Sequence, residues 1–161
     1  MTLTIGSRIP RLEITTKTAD GLDVINTETY FEGRKIIIFS IPGAFTPTCS
    51  EKHLPGYLEL FEDFKAVGVD AIGCIAVNDA HVMLAWAEQQ GANGIIDLFA
   101  DSRFKFSDAL GLTTDLGPIL GIRASRSALV VNDGLITHFF KEEPKALKVS
   151  DAKSLLSIVS V

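Results

Sequence analysis

Two cysteines, Cys49 and Cys74, are the side chains of this sequence best suited to covalent chemistry. Cys49 comes after a continuous apolar segment, Lys35–Ile41, that ends at Pro42-Gly43, and it precedes a segment with helical spacing of apolar residues. A cysteine in the first turn of a helix faces free backbone N–H groups and the positive end of the helix dipole, which stabilise its thiolate form. The sequence therefore predicts a nucleophilic thiol at position 49, with a buried, inert cysteine as the alternative.

Thr46 lies just before Cys49 in the order Thr46-Pro47-Thr48-Cys49. Thioredoxin-like oxidoreductases carry a Cys-x-x-Cys pair at such a junction between strand and helix. Here a hydroxyl replaces the partner thiol, so a local disulfide cannot form, and attack on a substrate such as a peroxide is favoured. We expect the Thr46 hydroxyl to accept a bond from a backbone N–H and to face the sulfur or a substrate oxygen. An ordinary helix N-cap is the alternative.

Cys74 lies inside a second apolar segment, Ala71–Val77, which has the character of a buried strand. A core cysteine is the default interpretation at such a position. The strand is expected to return to the edge of the sheet at which the Cys49 helix starts. If Val77 ends the strand at that edge, Cys74 lies roughly 10 Å back from the edge, at about 3.3 Å per residue. A disulfide needs Cα atoms within about 7 Å. We therefore expect two separate thiols in the reduced protein. We also expect Cys74→Ser to keep most of the activity of Cys49 towards a substrate such as a peroxide.

His53 follows Cys49 by one helical turn, on the same helix face. It could act as a base, as in cysteine hydrolases, or bind a metal together with Cys49. Neither His81 nor His138 has a spacing that would complete a metal site. A structural role that orients the helix is therefore preferred, and we expect neither a metal nor a cofactor.

The elements that must position these residues alternate between strands and helices. The predicted strands are Leu12–Thr16, Leu22–Ile25, Lys35–Ile41, Val69–Val77, Ile95–Phe99, Ser127–Val131 and Leu135–Phe140. The predicted helices are Thr46–Val67, Ala80–Gln90, Phe104–Leu110 and a last one that Ser150-Asp151 caps and that ends near Val159. This order predicts an α/β domain of three layers, with a central mixed β-sheet flanked by helices and right-handed crossovers. Cys49 would lie at the carboxyl edge of the sheet, where such folds place their sites.

Composition limits the classes of function. The chain has 161 residues, of which 47% are apolar, and a net charge of −5. This length fits a single domain over 1–161. The basic residues form no stripe, which argues against nucleic acid as a partner. No segment has the roughly 20 apolar residues that span a membrane. The first residues lack a signal-peptide pattern, so we expect a cytoplasmic protein, or an organellar one if a transit segment has been removed.

The pattern Pro42-x-x-x-Thr46-x-x-Cys49 resembles the active-site signature of the peroxiredoxins. The longer segment Pro42–Gly56, PGAFTPTCSEKHLPG, is similar to the atypical type II, or peroxiredoxin-5-like, subfamily. Further segments continue the resemblance over essentially the whole chain: Val77-Asn78-Asp79 with Trp86, and Ser127–Gly134. The resemblance implies a thioredoxin-like fold. It also implies a thiol-dependent peroxidase that reduces hydrogen peroxide and organic hydroperoxides through a cysteine sulfenic acid.

The resemblance also implies roles for individual residues. Cys49 would be the peroxidatic cysteine, and Thr46, Pro42 and Arg126 would surround it. Arg123 competes for the place of the arginine, but its spacing to the next strand fits less well. Arg126 would supply a permanent positive charge where negative charge develops. Thr46 would hold the peroxide in line with the sulfur, and Pro42 would shield the thiolate.

The resemblance implies an external thiol that reduces the sulfenic acid, namely glutaredoxin with glutathione, or thioredoxin. Some members of the subfamily have a second cysteine at about the separation of Cys74, so a resolving role for Cys74 remains an alternative. A homodimer is also implied, and the apolar segment Thr113–Gly121 is expected to form part of its interface. The rival function is a peroxide sensor that relays oxidation to a partner, or a chaperone-like holdase.

Overall fold

The computed structural model describes residues 2–161 and is built around a seven-stranded sheet with the order β2-β1-β5-β4-β3-β8-β9. Its strands are β1 (Glu13–Thr18), β2 (Gly21–Asn26), β3 (Lys35–Ile41), β4 (Ala71–Ala76), β5 (Asp97–Ala100), β8 (Ser127–Asn132) and β9 (Leu135–Lys141). A separate two-stranded ribbon consists of β6 (Thr113–Asp115) and β7 (Ile122–Ala124). Strands β3, β4 and β5 run parallel, whereas β1 and β8 pair antiparallel with β5 and β3. The predicted mixed sheet is confirmed.

Helices cover both faces of this sheet. They are α1 (Thr27–Phe31), α2 (Leu54–Glu59), α3 (Phe61–Ala66), α4 (Ala80–Gln90), α5 (Lys105–Ala109), α6 (Gly117–Leu120) and α7 (Ala152–Val159). Buried side chains of α2, α3, α4 and α7 share one core with Ile37, Phe39 and Ile41 of β3. Buried side chains of α1 and α5 share the other core with Ile36 and Ile38. The apolar sequence of β3 is continuous because both of its faces are covered, and the predicted three layers are confirmed.

The predicted continuous helix Thr46–Val67 is wrong in two places. A π-helical turn occupies Cys49–His53, and a break at Leu60 separates α2 from α3. Pro55 has no N–H, and in a regular α-helix its ring would collide with the carbonyl four residues earlier. The wider π-helical turn just before it accommodates the proline and sets the position of the residues after Cys49.

Four short elements lie where the sequence analysis predicted none. These are α1, the strands β6 and β7 of the ribbon, and α6 between those two strands. Each is too short to show a helical or strand period. Across residues 2–161, no helix combines the length and the apolar character that crossing a membrane would require.

Candidate active site

Cys49 is held at the carboxyl end of β3. The strand ends at Ile41, and the loop 42–46 reverses the chain, with Phe45 in the left-handed region at φ 65°. Helical geometry begins at Pro47, whose fixed φ suits the first helical position. Cys49 therefore lies in the first turn, as the sequence predicts. Its side chain has 0% exposure, so the sulfur is separated from bulk water.

Arg126 brings a positive charge to this sulfur. It immediately precedes β8, and the antiparallel pairing of Ser40 with Ser127 places the start of β8 beside the end of β3. The hydroxyl oxygens of Ser40 and Ser127 lie 2.7 Å apart, which ties the two strands together at this point. From there, Arg126 Nη2 donates to Cys49 Sγ at 3.1 Å. A guanidinium group at this distance stabilises a thiolate.

Arg123, the competing arginine, binds backbone carbonyls instead. Its Nε donates to the carbonyl of Leu120 at 2.8 Å, and its Nη1 donates to that of Pro42 at 3.3 Å. Gly43 leaves room for this side chain, because a Cβ at that position would lie 2.6 Å from Arg123 Nη1. Arg123 thus fixes the loop before Cys49, while Arg126 is the arginine that contacts the sulfur.

Thr46 uses its hydroxyl as a hydrogen-bond donor. Its Oγ1 donates to the carbonyl of Gly43 at 2.7 Å, so the expectation that it accepts from a backbone N–H is wrong. Because the hydroxyl hydrogen is already committed, the lone pairs of Oγ1 are available to accept from a substrate. Thr46 and Pro42 are both partly exposed, so a small solute can contact them from solvent.

His53 lies in the core beside the site, with 1% exposure, and its ring centroid is 4.7 Å from that of Phe39. Its Nδ1 lies 2.8 Å from Arg126 Nη1, and its Nε2 lies 3.0 Å from the carbonyl oxygen of Ser150. Burial, followed by the charge of Arg126, lowers the pKa of His53 to about 3, so the ring is neutral near pH 7. Both ring nitrogens are engaged, so neither interpretation of His53 as a base for Cys49 or as a metal ligand fits.

Glu142 and Ser150 are residues near the site that the sequence analysis missed. Glu142 is 7% exposed. Its Oε2 accepts from the backbone N–H groups of Lys148, Val149 and Ser150 and from the Ser150 hydroxyl, each at 2.8 Å. Burial raises the pKa of the Glu142 carboxyl, but the bonds from Ser150 and its neighbours outweigh this and lower it. The only sequence signal here was the helix cap, which Asp151 provides for α7.

Cys74 lies in β4, in register with Phe39 of β3. Both cysteines are buried free thiols, the arrangement expected for the reduced protein. Burial raises the pKa of the Cys74 thiol, and negative charge on Cys49 raises it further. Cys74 is therefore a protonated, buried thiol near pH 7.

Comparison with known proteins places this chain in a family. A family model described as Redoxin matches residues 4–156. The chloroplastic peroxiredoxin-2E-2 of Oryza sativa subsp. japonica is 40% identical in an alignment of 161 positions that covers 96% of this chain and 72% of that protein. The hybrid peroxiredoxin hyPrx5 of Haemophilus influenzae is 37% identical, with 96% of this chain and 66% of that protein covered. The chain therefore spans about two thirds to three quarters of the length of these relatives.

Solved structures show the same fold. The crystal structure of reduced Prx3 in complex with H2O2 from Vibrio vulnificus has a TM-score of 0.95 and 39% identity, covering 98% of this chain and 99% of that one. Peroxiredoxin 5 from Alvinella pompejana has a TM-score of 0.84 and 32% identity, covering 98% and 97%. These similarities confirm the thioredoxin-like fold. The chain belongs to the Redoxin family and, within it, to the atypical peroxiredoxins, which are thiol-dependent peroxidases.

Proposed function

We propose that Cys49 performs the peroxidase reaction of this chain and that Arg126, Thr46 and Pro42 support it. The observation that carries this proposal is the 3.1 Å hydrogen bond from Arg126 Nη2 to Cys49 Sγ. Arginine keeps its charge at every physiological pH. The buried sulfur therefore has a permanent positive partner when it becomes a thiolate.

In the reaction, the Cys49 thiolate attacks the terminal hydroxyl oxygen of a hydroperoxide, ROOH. The S–O bond forms while the O–O bond breaks, and the electron pair of that bond leaves with the alkoxide RO⁻, which takes a proton to become ROH. With hydrogen peroxide, the leaving group is hydroxide and the product is water. The sulfur is oxidised to sulfenic acid and the peroxide is reduced.

The supporting residues act on the charge and the direction of this displacement. Negative charge spreads from the sulfur over both oxygens, and Arg126 is already in place to stabilise it. The free lone pairs of Thr46 Oγ1 accept from the peroxide hydroxyl and align its oxygen with the sulfur. Pro42, whose carbonyl is held by Arg123, presents an apolar ring that keeps water from the thiolate.

The test of the nucleophile compares Cys49→Ser with Cys74→Ser, because both replace a buried thiol by a hydroxyl. Peroxide consumption is followed at steady state, and Cys49 oxidation is followed by the fluorescence of Trp86, the one tryptophan. Trp86 is a suitable probe because its Nε1 donates to Ser50, next to Cys49, at 2.9 Å. We expect Cys49→Ser to abolish both signals and Cys74→Ser to keep them. Activity of Cys49→Ser within tenfold of the parent would refute the proposal.

The sulfenic acid must then be reduced by a second thiol. Cys74 is buried inside β4, so an external thiol is the proposed reductant, either glutaredoxin with glutathione or thioredoxin. Steady-state peroxide consumption measured with each reductant in turn identifies it. Many turnovers with one of these systems distinguish an enzyme from a sensor or a holdase, which would consume about one equivalent of peroxide and stop.

We also propose that the protein is a homodimer. Ile119 in α6 is 91% exposed, and Leu116 and Ile122 beside it are 38% and 44% exposed. Phe104 and Phe45 are also exposed, and Phe104 and Ile122 line the same pocket. We call these five side chains the apolar face. Large apolar side chains gathered in this way are typical of protein interfaces.

The apolar face borders the active-site loop. Arg123 connects its segment to the carbonyl of Pro42, and Phe45 belongs to the loop before Cys49. Sedimentation or light scattering at high protein concentration should give a dimeric mass for the parent and a monomeric mass for Ile119→Asp. Leu22→Asp is the matched control, since Leu22 is 62% exposed on the edge strand β2 and its variant should stay dimeric. A monomeric parent protein would contradict the proposal.

We propose the cytoplasm as its compartment, following the sequence, with an organelle as the alternative. The name of the rice relative includes the word chloroplastic, which favours keeping that alternative. Fractionation of the source cells against marker enzymes for each compartment decides between the two.

A further inference from the structure

A closed ring of hydrogen bonds connects Arg126 to three residues outside the reacting atoms. Arg126 Nη1 bonds to His53, His53 bonds to the Ser150 carbonyl, and Ser150 bonds to the Glu142 carboxylate. The ring closes because the backbone N–H of Glu142 donates to the carbonyl of Arg126 at 2.9 Å. We propose that His53 is a positioning residue: as a neutral acceptor it holds the Arg126 guanidinium on Cys49, and Glu142 keeps it in the required tautomer. This inference rests on the function proposed above for Cys49 and Arg126.

The two partners of His53 determine which nitrogen carries the hydrogen. A carbonyl oxygen can only accept, so Nε2, which lies 3.0 Å from the Ser150 carbonyl, must be the N–H donor. A guanidinium group can only donate, so Nδ1, which lies 2.8 Å from Arg126 Nη1, must present its lone pair. Only one tautomer of the neutral ring satisfies both contacts. Protonation of His53 would place a hydrogen and a positive charge directly against the guanidinium.

Glu142 holds the Ser150 carbonyl in the position where it accepts from His53 Nε2. One carboxylate oxygen accepts from three consecutive backbone N–H groups and from the Ser150 hydroxyl, each at 2.8 Å. Charge-assisted bonds of this kind are about twice as strong as neutral ones. They fix the loop before α7, and with it the direction of the Ser150 carbonyl. A fixed carbonyl selects the Nε2–H tautomer of His53.

The two terminal nitrogens of the Arg126 guanidinium connect His53 to the reacting sulfur. Arg126 Nη1 is held by His53 while Nη2 donates to Cys49 Sγ. An arginine side chain has several rotatable bonds, and its order must be maintained by contacts. Without the acceptor at Nδ1, the guanidinium can swing away from the sulfur. A displacement of about 1 Å in such a group can cost on the order of 10²-fold in rate.

Three substitutions of His53 separate positioning from packing. The amide of asparagine places its oxygen near the position of Nδ1, so His53→Asn keeps an acceptor for Arg126 and loses the Ser150 bond. Glutamine places its amide nitrogen near the position of Nε2, so His53→Gln keeps the bond to Ser150 and loses the acceptor. His53→Leu keeps most of the volume and loses both polar contacts.

We expect the second-order rate constant for Cys49 oxidation to fall roughly 10–100-fold in His53→Leu and His53→Gln. We expect His53→Asn to stay within about threefold of the parent, because it retains the acceptor. A purely structural His53 would give another order, with the smallest side chain, asparagine, as the most impaired. Thermal unfolding of the same variants shows whether each of them is folded at the assay temperature.

A second pair of variants tests the hydrogen bonds by which Glu142 fixes the loop before α7. The Tyr57 hydroxyl donates to the same Ser150 carbonyl at 2.7 Å. Tyr57→Phe therefore removes one donor to that carbonyl and leaves the hydrogen bonds of His53 and Glu142 in place. We expect Glu142→Gln to slow Cys49 oxidation several-fold and Tyr57→Phe to leave it near the parent value. Equal rates for the parent, His53→Leu and Glu142→Gln would overturn the inference.

Failure of this inference can be told apart from failure of the proposed function. Cys49→Ser and Arg126→Ala are measured in the same assay. If Cys49→Ser is inactive, Arg126→Ala is slow and His53→Leu is unchanged, then only the positioning role is wrong. If Cys49→Ser retains activity, the proposed nucleophile itself is wrong, and the positioning role with it.

Discussion

Acidification should destabilise this fold through His53, and the size of the effect follows from its environment. The pKa of His53 is about 3 in the folded protein against an ordinary value of 6.5. Because the folded value is the lower one, the unfolded chain binds a proton first, and stability falls as the pH decreases from 6.5 towards 3. At 1.36 kcal/mol per pH unit, the whole interval corresponds to about 5 kcal/mol, and the part between pH 6.5 and 5 to about 2 kcal/mol.

The groups around His53 explain why its pKa is lowered rather than raised. Burial is the largest cause of the lowered pKa, and the positive charge of Arg126 adds to it. The Ser150 carbonyl and the negative charges of Glu142 and Asp151 act in the opposite direction and are outweighed. Glu142 contributes separately to acid sensitivity: its own pKa is lowered from 4.5, so its contribution to stability is lost only as the pH falls below about 4.5. The interval from pH 6.5 to 5 therefore isolates His53 from Glu142.

The assay is denaturant unfolding at a series of pH values between 7 and 5, for the parent and for His53→Asn. The difference between the two pH dependences belongs to His53, because the remaining titrating groups are common to both proteins. We expect the parent to lose about 2 kcal/mol more than the variant over this interval. In the NMR spectrum of the parent, the His53 ring should remain neutral at pH 5. Parallel pH dependences, or an imidazolium signal from His53 at pH 5, would refute the reasoning.

Three further predictions follow from the contacts of the site. Arg126→Ala should slow peroxide reduction by roughly 10²–10³-fold, the range for one fixed donor at a developing charge, and Arg123→Ala should slow it less; stopped-flow measurements in the opposite order would contradict the assignment. Thr46→Val should cost a similar factor, since it removes the acceptor for the peroxide hydroxyl, and an unchanged rate would exclude that role. Cys74→Ser should keep most activity with glutaredoxin and glutathione, whereas a rapid stoichiometric disulfide with Cys49 after one equivalent of peroxide would make Cys74 the resolving cysteine.

The sequence predicts those elements best whose ends carry their own signals. Helix α4 begins and ends as predicted, because Asp79 caps its first turn and Gly91, at φ 69°, ends it. The predicted helix Thr46–Val67 lacks such internal signals, and its period alone could not reveal the π-helical turn at Cys49–His53. Pro55 was the available sign of irregularity, because a proline inside a helical pattern removes one backbone hydrogen bond.

Some residues of the site can be predicted from a short motif, whereas others depend on contacts between distant parts of the chain. Thr46 and Cys49 share one short motif, so their proximity is visible in the sequence. Ser150 contributes through its backbone carbonyl, which every residue has, so no residue type could have indicated it. The position of Arg126 depends on strand pairing: Ser127 must lie opposite Ser40 in the β3–β8 register. A shift of one residue would turn each side chain of β8 to the opposite face of the sheet, and the arginine would then leave the face on which Cys49 lies. The hydroxyl contact between Ser40 and Ser127 is therefore part of what determines the active site, although neither serine touches the sulfur.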